Sequence, residues 1–166
     1  MADTPRDMLM FTCHRLLSTV MIALLLPGFA AAQDRDAKEV QSHVLTDTGL
    51  AKYTQATKTI AALPGGACDD GDSKSIDQMT AKLNASPGVK AAIQSAGMTT
   101  REYVVFTWSL LQTGLAAWAV DQPGGKLPPG TSKANVDFFK KHEADLKQLE
   151  GLKQDNDCDE DRESDE

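Results

Sequence analysis

From residue 45 onward, apolar side chains recur three and four positions apart, and no stretch alternates as a half-buried strand does. The first stripe is Leu50, Tyr53, Thr57 and Ile60. It predicts a helix over about residues 47–63, capped by Thr46 or Thr48 and stopped by Pro64-Gly65-Gly66, with Gly49 weakening its first turn. A short helix follows Ser75, which makes a capping box with Gln78 and shows Ile76, Met79 and Leu83 on one face. A third opens at Ser86-Pro87, carries Val89, Ala92, Ile93 and Ala96, and ends at Gly97, which supplies a left-handed stop.

The fourth pattern is the longest. Thr99 and Glu102 form a capping box ahead of Tyr103–Val120, where Val104, Val105, Phe106, Trp108, Leu110, Leu111, Leu115 and Trp118 leave almost no polar side. Such a helix is either buried in its domain or faces a membrane. Ser109, Gln112 and the charged start at Arg101 and Glu102 favour a central core helix. Gly114 within it points to close approach by another backbone. A Pro/Gly loop, 121–130, leads to a fifth helix over about 132–153. One side of it carries Asn135, Phe138, Phe139, His142, Leu146, Leu149 and Leu152, and the other is charged.

The two ends differ from this body. Arg6, His14 and Arg15 precede an apolar run, Leu16–Leu26, and Pro27-Gly28 ends it. Ala30-Ala31-Ala32 then offers small residues where a signal peptidase reads, with cleavage expected after Ala32. The run is about 11 residues, short of the roughly 20 that a membrane span needs. Residues 1–32 are therefore expected to be a cleavable signal peptide, and 33–44, polar and without a clear period, a flexible leader. At the other end, 155–166 hold eight acids and one base, which accounts for the whole formal net charge of −7. Residues 154–166 are expected to be an acidic disordered tail. The helical domain, 45–153, is left nearly neutral, which argues against nucleic acid as a partner.

Three cysteines occur, and signal cleavage removes Cys13. Cys68 and Cys158 can then pair only with each other within the chain, and an oxidising compartment makes a disulfide the default reading. The closed loop of roughly 90 residues would contribute about 3–4 kcal/mol. Neither cysteine belongs to a CxxC, so redox catalysis has no support.

The same bridge would bring Asp69, Asp70 and Asp72 beside Asp155, Asp157 and Asp159, oxygen ligands of the kind that hard cations such as calcium take. The tail departs from an EF-hand loop where it counts. Glu160 stands at the glycine position and no helix follows. No cofactor motif is present: there is no CxxCH, no GxGxxG and no phosphate loop. Only His43 and His142 remain after cleavage, so no catalytic residues are assigned. A hydrolase using Arg101, Glu102 or His142 would need a cleft that gathers them. Arg101, Tyr103, Trp108, Trp118 and Asn135 are the candidates for a ligand or partner surface.

Two segments, Ala96-Gly97-Met98-Thr99-Thr100-Arg101-Glu102-Tyr103 and Leu127-Pro128-Pro129-Gly130-Thr131-Ser132-Lys133-Ala134-Asn135-Val136-Asp137-Phe138, join Leu45-Thr46 in a further reading. Together they resemble a group of small exported bacterial proteins of unknown function. The resemblance spans most of residues 45–149 and implies a periplasmic or secreted setting. It brings no activity and no site residues.

The expectation is thus an all-α domain, a single bundle of four to five helices around a buried central helix at about 100–120. Its expected role is non-enzymatic: binding a partner protein or small ligand outside the cytoplasm, with no membrane span after cleavage. Divalent-cation binding by the acidic tail and the Cys68 loop, and an unrecognised hydrolase, are the alternatives.

Overall fold

The computed structural model describes residues 27–64 and 73–154, and these are all-helical. The helices are α1 (Pro27–Ser42), α2 (Asp47–Ala61), α3 (Ile76–Ala85), α4 (Pro87–Ser95), α5 (Thr100–Asp121), α6 (Lys133–Lys141) and α7 (Glu143–Gln154). From Asp36 on, the chain forms one unit. Residues 1–26, Cys68, Cys158 and the acids of the Cys68 loop and tail lie outside the described residues, and with them most of the signal segment, the disulfide and the cation site.

The helix starts follow from local chemistry. The Thr46 hydroxyl accepts from Gly49 N (3.1 Å), Ser75 from Gln78 N (3.1 Å) and Ser132 from Asn135 N (3.4 Å). At Thr99 the capping box is complete: its hydroxyl takes Glu102 N and its own N–H goes to Glu102 Oε2 at 2.7 Å. Gly97 takes φ +77°, the left-handed turn that ends α4 and brings the chain round to α5.

The main core gathers Leu50, Tyr53, Ala56 and Ile60 of α2 with Val89, Ala92 and Ile93 of α4, Tyr103, Phe106 and Leu110 of α5, and Leu146 and Leu149 of α7. The α2 stripe is therefore buried as its spacing predicts. A second cluster packs Val40 of α1 and Ile76 of α3 against Val104 and Val105 of α5, with Trp108 at its edge. A third packs Val136 and Phe139 of α6 against Ala116 and Ala117 of α5. All three meet α5, the expected central helix.

Glycines make room for rings at two contacts. A Cβ on Gly49 would lie 2.8 Å from Phe106 Cε2, so the residue that weakens the start of α2 is what admits Phe106. A Cβ on Gly114 would lie 3.0 Å from Phe139 Cζ. The neighbour there is an aromatic ring, not the backbone that was expected.

Two expectations are corrected. Residues 33–42 are not a flexible leader: they belong to α1, and its last turns are tied into the body. Asp36 is buried and accepts from Ile76 N (2.9 Å), Val40 is buried, and the Glu39 carboxylate holds Arg101. Val40 is the only apolar residue in that stripe, so hydrophobic spacing could not reveal it. The second correction concerns the fifth helix, which is two. The chain leaves helical geometry at His142 (φ −106°, ψ 14°), between α6, which serves α5, and α7, which serves α2. The His142 ring packs on Phe138, its Nε2 meets Asp47 Oδ1 at 2.7 Å and its Nδ1 lies 3.5 Å from Asp145.

Candidate functional site: an open stripe on the central helix

Helix α5 presents one stripe through Thr100, Val104, Trp108, Leu111, Leu115 and Trp118, spaced by threes and fours. Its first part is covered. Thr100 donates to Asn84 Oδ1 (2.8 Å), Val104 is buried under Val40 and Ile76, and Trp108 is half-buried at the edge of that cluster. From Leu111 the stripe is bare. Leu111, Leu115 and Trp118 are 64%, 62% and 66% exposed. The inward side of the same turns carries small residues: Thr113, Ala116 and Ala117 are buried, and Gly114 faces Phe139. This half of α5 thus turns its small side chains inward and its large apolar ones outward, the reverse of an ordinary surface helix. Scattered exposed leucines are normal, but a Trp and two Leu on consecutive turns of one stripe form a patch.

The flanks of the stripe, Thr107, Gln112, Gly114 and Ala119, carry no charge. At its far end Asp121 is paired with Lys140 (2.5 Å). No charged residue lies between Glu102 and Asp121, so an apolar partner meets no desolvated ion there.

The five expected surface residues divide. Trp118 is on the open stripe and Trp108 stands at its border. The other three are structural. The Arg101 guanidinium grips Glu39 with two bonds (Nε 2.9 Å, Nη2 2.6 Å) and reaches Asp77 through Nη1 (2.5 Å). Those bonds push its pKa further up, so it ties α1 and α3 to α5 as a permanent cation. Tyr103 is buried and stacked on Tyr53 (5.0 Å between centroids), and its hydroxyl shares a hydrogen bond with Thr57 (3.1 Å). Burial pushes its phenol pKa well up, which keeps it neutral. Asn135 is buried; its Oδ1 accepts from Leu45 N (3.1 Å) and its Nδ2 donates to His43 O (2.8 Å). It pairs the backbone of the turn between α1 and α2, which would otherwise be left unsatisfied.

The hydrolase candidates are held by different partners: Arg101 by Glu39 and Asp77, Glu102 by Thr99, His142 by Asp47 and Asp145. The Thr99 backbone N–H holds the Glu102 carboxyl below its usual range, as its capping role requires. Burial lowers the His43 imidazole, against the raising pull of Glu102 and Glu39. Its ring meets Phe106 edge-on at 5.7 Å.

The apolar density of α5 predicts Leu111 and Leu115 in the core, and the structure places both at the surface. The signal that marks them is the set of small residues Thr113, Ala116 and Ala117 on the opposite side, which is the side that packs on the rest of the chain.

One helix among the described residues, α5, is long and apolar enough to cross a membrane, and half of that span is buried within the protein. No group of three or more His, Cys, Asp or Glu able to hold a metal occurs among the described residues. No protein-family model, curated protein or solved structure matches the chain.

Proposed function

We propose that this is an exported, non-enzymatic helical protein that docks a partner protein through the open stripe of α5. The observation that carries the reading is the inverted half-helix, with Leu111, Leu115 and Trp118 about two-thirds exposed while alanines face the core. The stripe is a ridge, and small molecules prefer concave sites, so a protein is the occupant that fits it. Trp is among the residues that most often dominate binding energy at such contacts. Export rests on the order of charged, apolar and small-residue zones in residues 1–32 and on the resemblance to exported bacterial proteins.

A photo-crosslinking residue placed at position 115, in the cell that produces the protein, tests the docking. A discrete covalent product is expected with the probe at 115, and none with the probe at exposed Lys133 on α6. A smear, or equal products at both positions, would refute the reading.

A further inference from the structure

We propose that the corner between α1 and α2, residues 43–46, is an acid-sensitive latch: a proton on His43 opens the corner while the rest of the body stays folded. The proposal stands apart from the docking reading and needs no partner.

Few bonds close the corner. His43 N donates to Val40 O (3.2 Å) at the end of α1. The Asn135 side chain of α6 then spans the turn, donating to His43 O (2.8 Å) and accepting from Leu45 N (3.1 Å). Leu45 is buried, whereas Val44 is 67% exposed. The corner thus hangs on one neutral amide, one leucine and the His43 ring.

The ring is the part that can change with pH. It meets Phe106 of α5 edge-on at 5.7 Å, and its Nε2 is buried with no hydrogen-bond partner among the described residues. In either neutral tautomer that nitrogen forgoes one bond. In the imidazolium it is a charged donor with nothing to receive its hydrogen, which costs more. Two carboxylates pull the other way, Glu39 of α1 and Glu102 of α5. Both act from a distance. Glu39 grips Arg101 of α5, and Glu102 caps its own helix on Thr99 N and feels Lys52 of α2. From α6 the corner meets the neutral Asn135. Burial outweighs the two carboxylates, so the closed corner holds the imidazole neutral below its ordinary range.

An open corner gives the ring water and its ordinary pKa of 6.5. It therefore binds the proton more tightly than the closed corner does. The open population is constant above about pH 6.5 and rises below it, by up to about ten-fold per pH unit, until the closed form is protonated too. The opening is local because the other ties of α1 contain no imidazole. Asp36 holds Ile76 N, Glu39 holds Arg101, and the Ser109 hydroxyl reaches Val40 O (3.4 Å). Opening also frees Asn135 at the start of α6, the helix packed behind Ala116 and Ala117. Acid thereby loosens the backing of the outer half of α5.

Amide hydrogen exchange on the protein as its cell accumulates it tests the latch between about pH 5 and pH 7.5, read as protection relative to each amide's intrinsic rate. The Leu45 amide, which depends on Asn135, should lose protection by up to about ten-fold per pH unit below pH 6.5. The Ile76 amide, bonded to Asp36, and the core amide of Ile93 should keep theirs. His43→Gln is neutral throughout and retains His142 on Asp47, so the Leu45 loss should vanish in it. Leu45 protection that ignores pH in the wild type overturns the latch. So does an equal loss at Ile93, because the body then opens as a whole. The same loss in His43→Gln assigns it to another group and also overturns it. The wild-type ring resonance gives a reading that needs no variant. His43 should titrate below 6.5, and titration at or above that value overturns the proposal.

Discussion

The two halves of α5 are both rich in apolar residues, but they solve different problems. From Tyr103 to Phe106 four successive side chains are buried, which takes in most of the helix circumference. That is possible because α2 and α4 receive Tyr103 and Phe106 while α1 and α3 cover Val104 and Val105. Past Leu110 the helix outruns those neighbours. There α6 accompanies it, against Ala116 and Ala117. Hydrophobicity along a helix therefore reports how much surface wants cover, and the neighbouring helices decide how much of that cover comes from the same chain.

The widest gap between the halves should appear on truncation. Phe106→Ala empties a packed site beside Tyr53 and Gly49 and should cost about 3–5 kcal/mol in urea unfolding. A cost below 1 kcal/mol would mean that this half is not the core.

Asn135→Ala comes next, at about 2 kcal/mol, because it leaves the Leu45 N–H and His43 carbonyl unpaired. It also loosens α6, so amide exchange should quicken at 113–120 and stay slow at 103–110. Uniform quickening would contradict the division.

Acid should act on the covered half. Burial holds His43 below its ordinary 6.5, so the unfolded chain takes up that proton first as pH falls. The histidine's contribution is constant above about pH 6.5 and declines below it. His43→Gln should flatten that part of the stability profile, measured by urea melts at stepped pH. An identical slope in the variant would remove His43 as its source.

The smallest effect belongs to the open half. Leu115→Ala should change the unfolding free energy by no more than about 0.5 kcal/mol, as surface substitutions do.

The all-helical class and most helix starts were legible because they depend on neighbours in sequence. Thr46, Ser75, Thr99 and Ser132 act within three residues of themselves. The central helix was legible from its apolar density. What escaped was tertiary. The last turns of α1 are held by Asp36 and Glu39, whose partners lie 40 and 62 residues away, and polar anchors leave no hydrophobic period. The break at His142 has no Gly or Pro to mark it, and its ring is held by Asp47, 95 residues distant. Of the candidate surface residues, Trp118 is the one the structure leaves widely exposed. Arg101, Tyr103 and Asn135 stand at helix starts, where they could line a cleft, but the fold commits their polar groups to internal bonds. Leu111 and Leu115 could not be told from core residues until the direction of the alanines was known.

The hydrogen bonds of Asn135 also set a schedule. They join residues 90 and 92 positions apart, so the turn after α1 leaves the ribosome long before the side chain that satisfies it. At about 5–20 residues per second that interval is roughly 5–20 s. Whatever the compartment in which the chain folds, the α1–α2 corner therefore cannot be completed before α6 is present to supply Asn135.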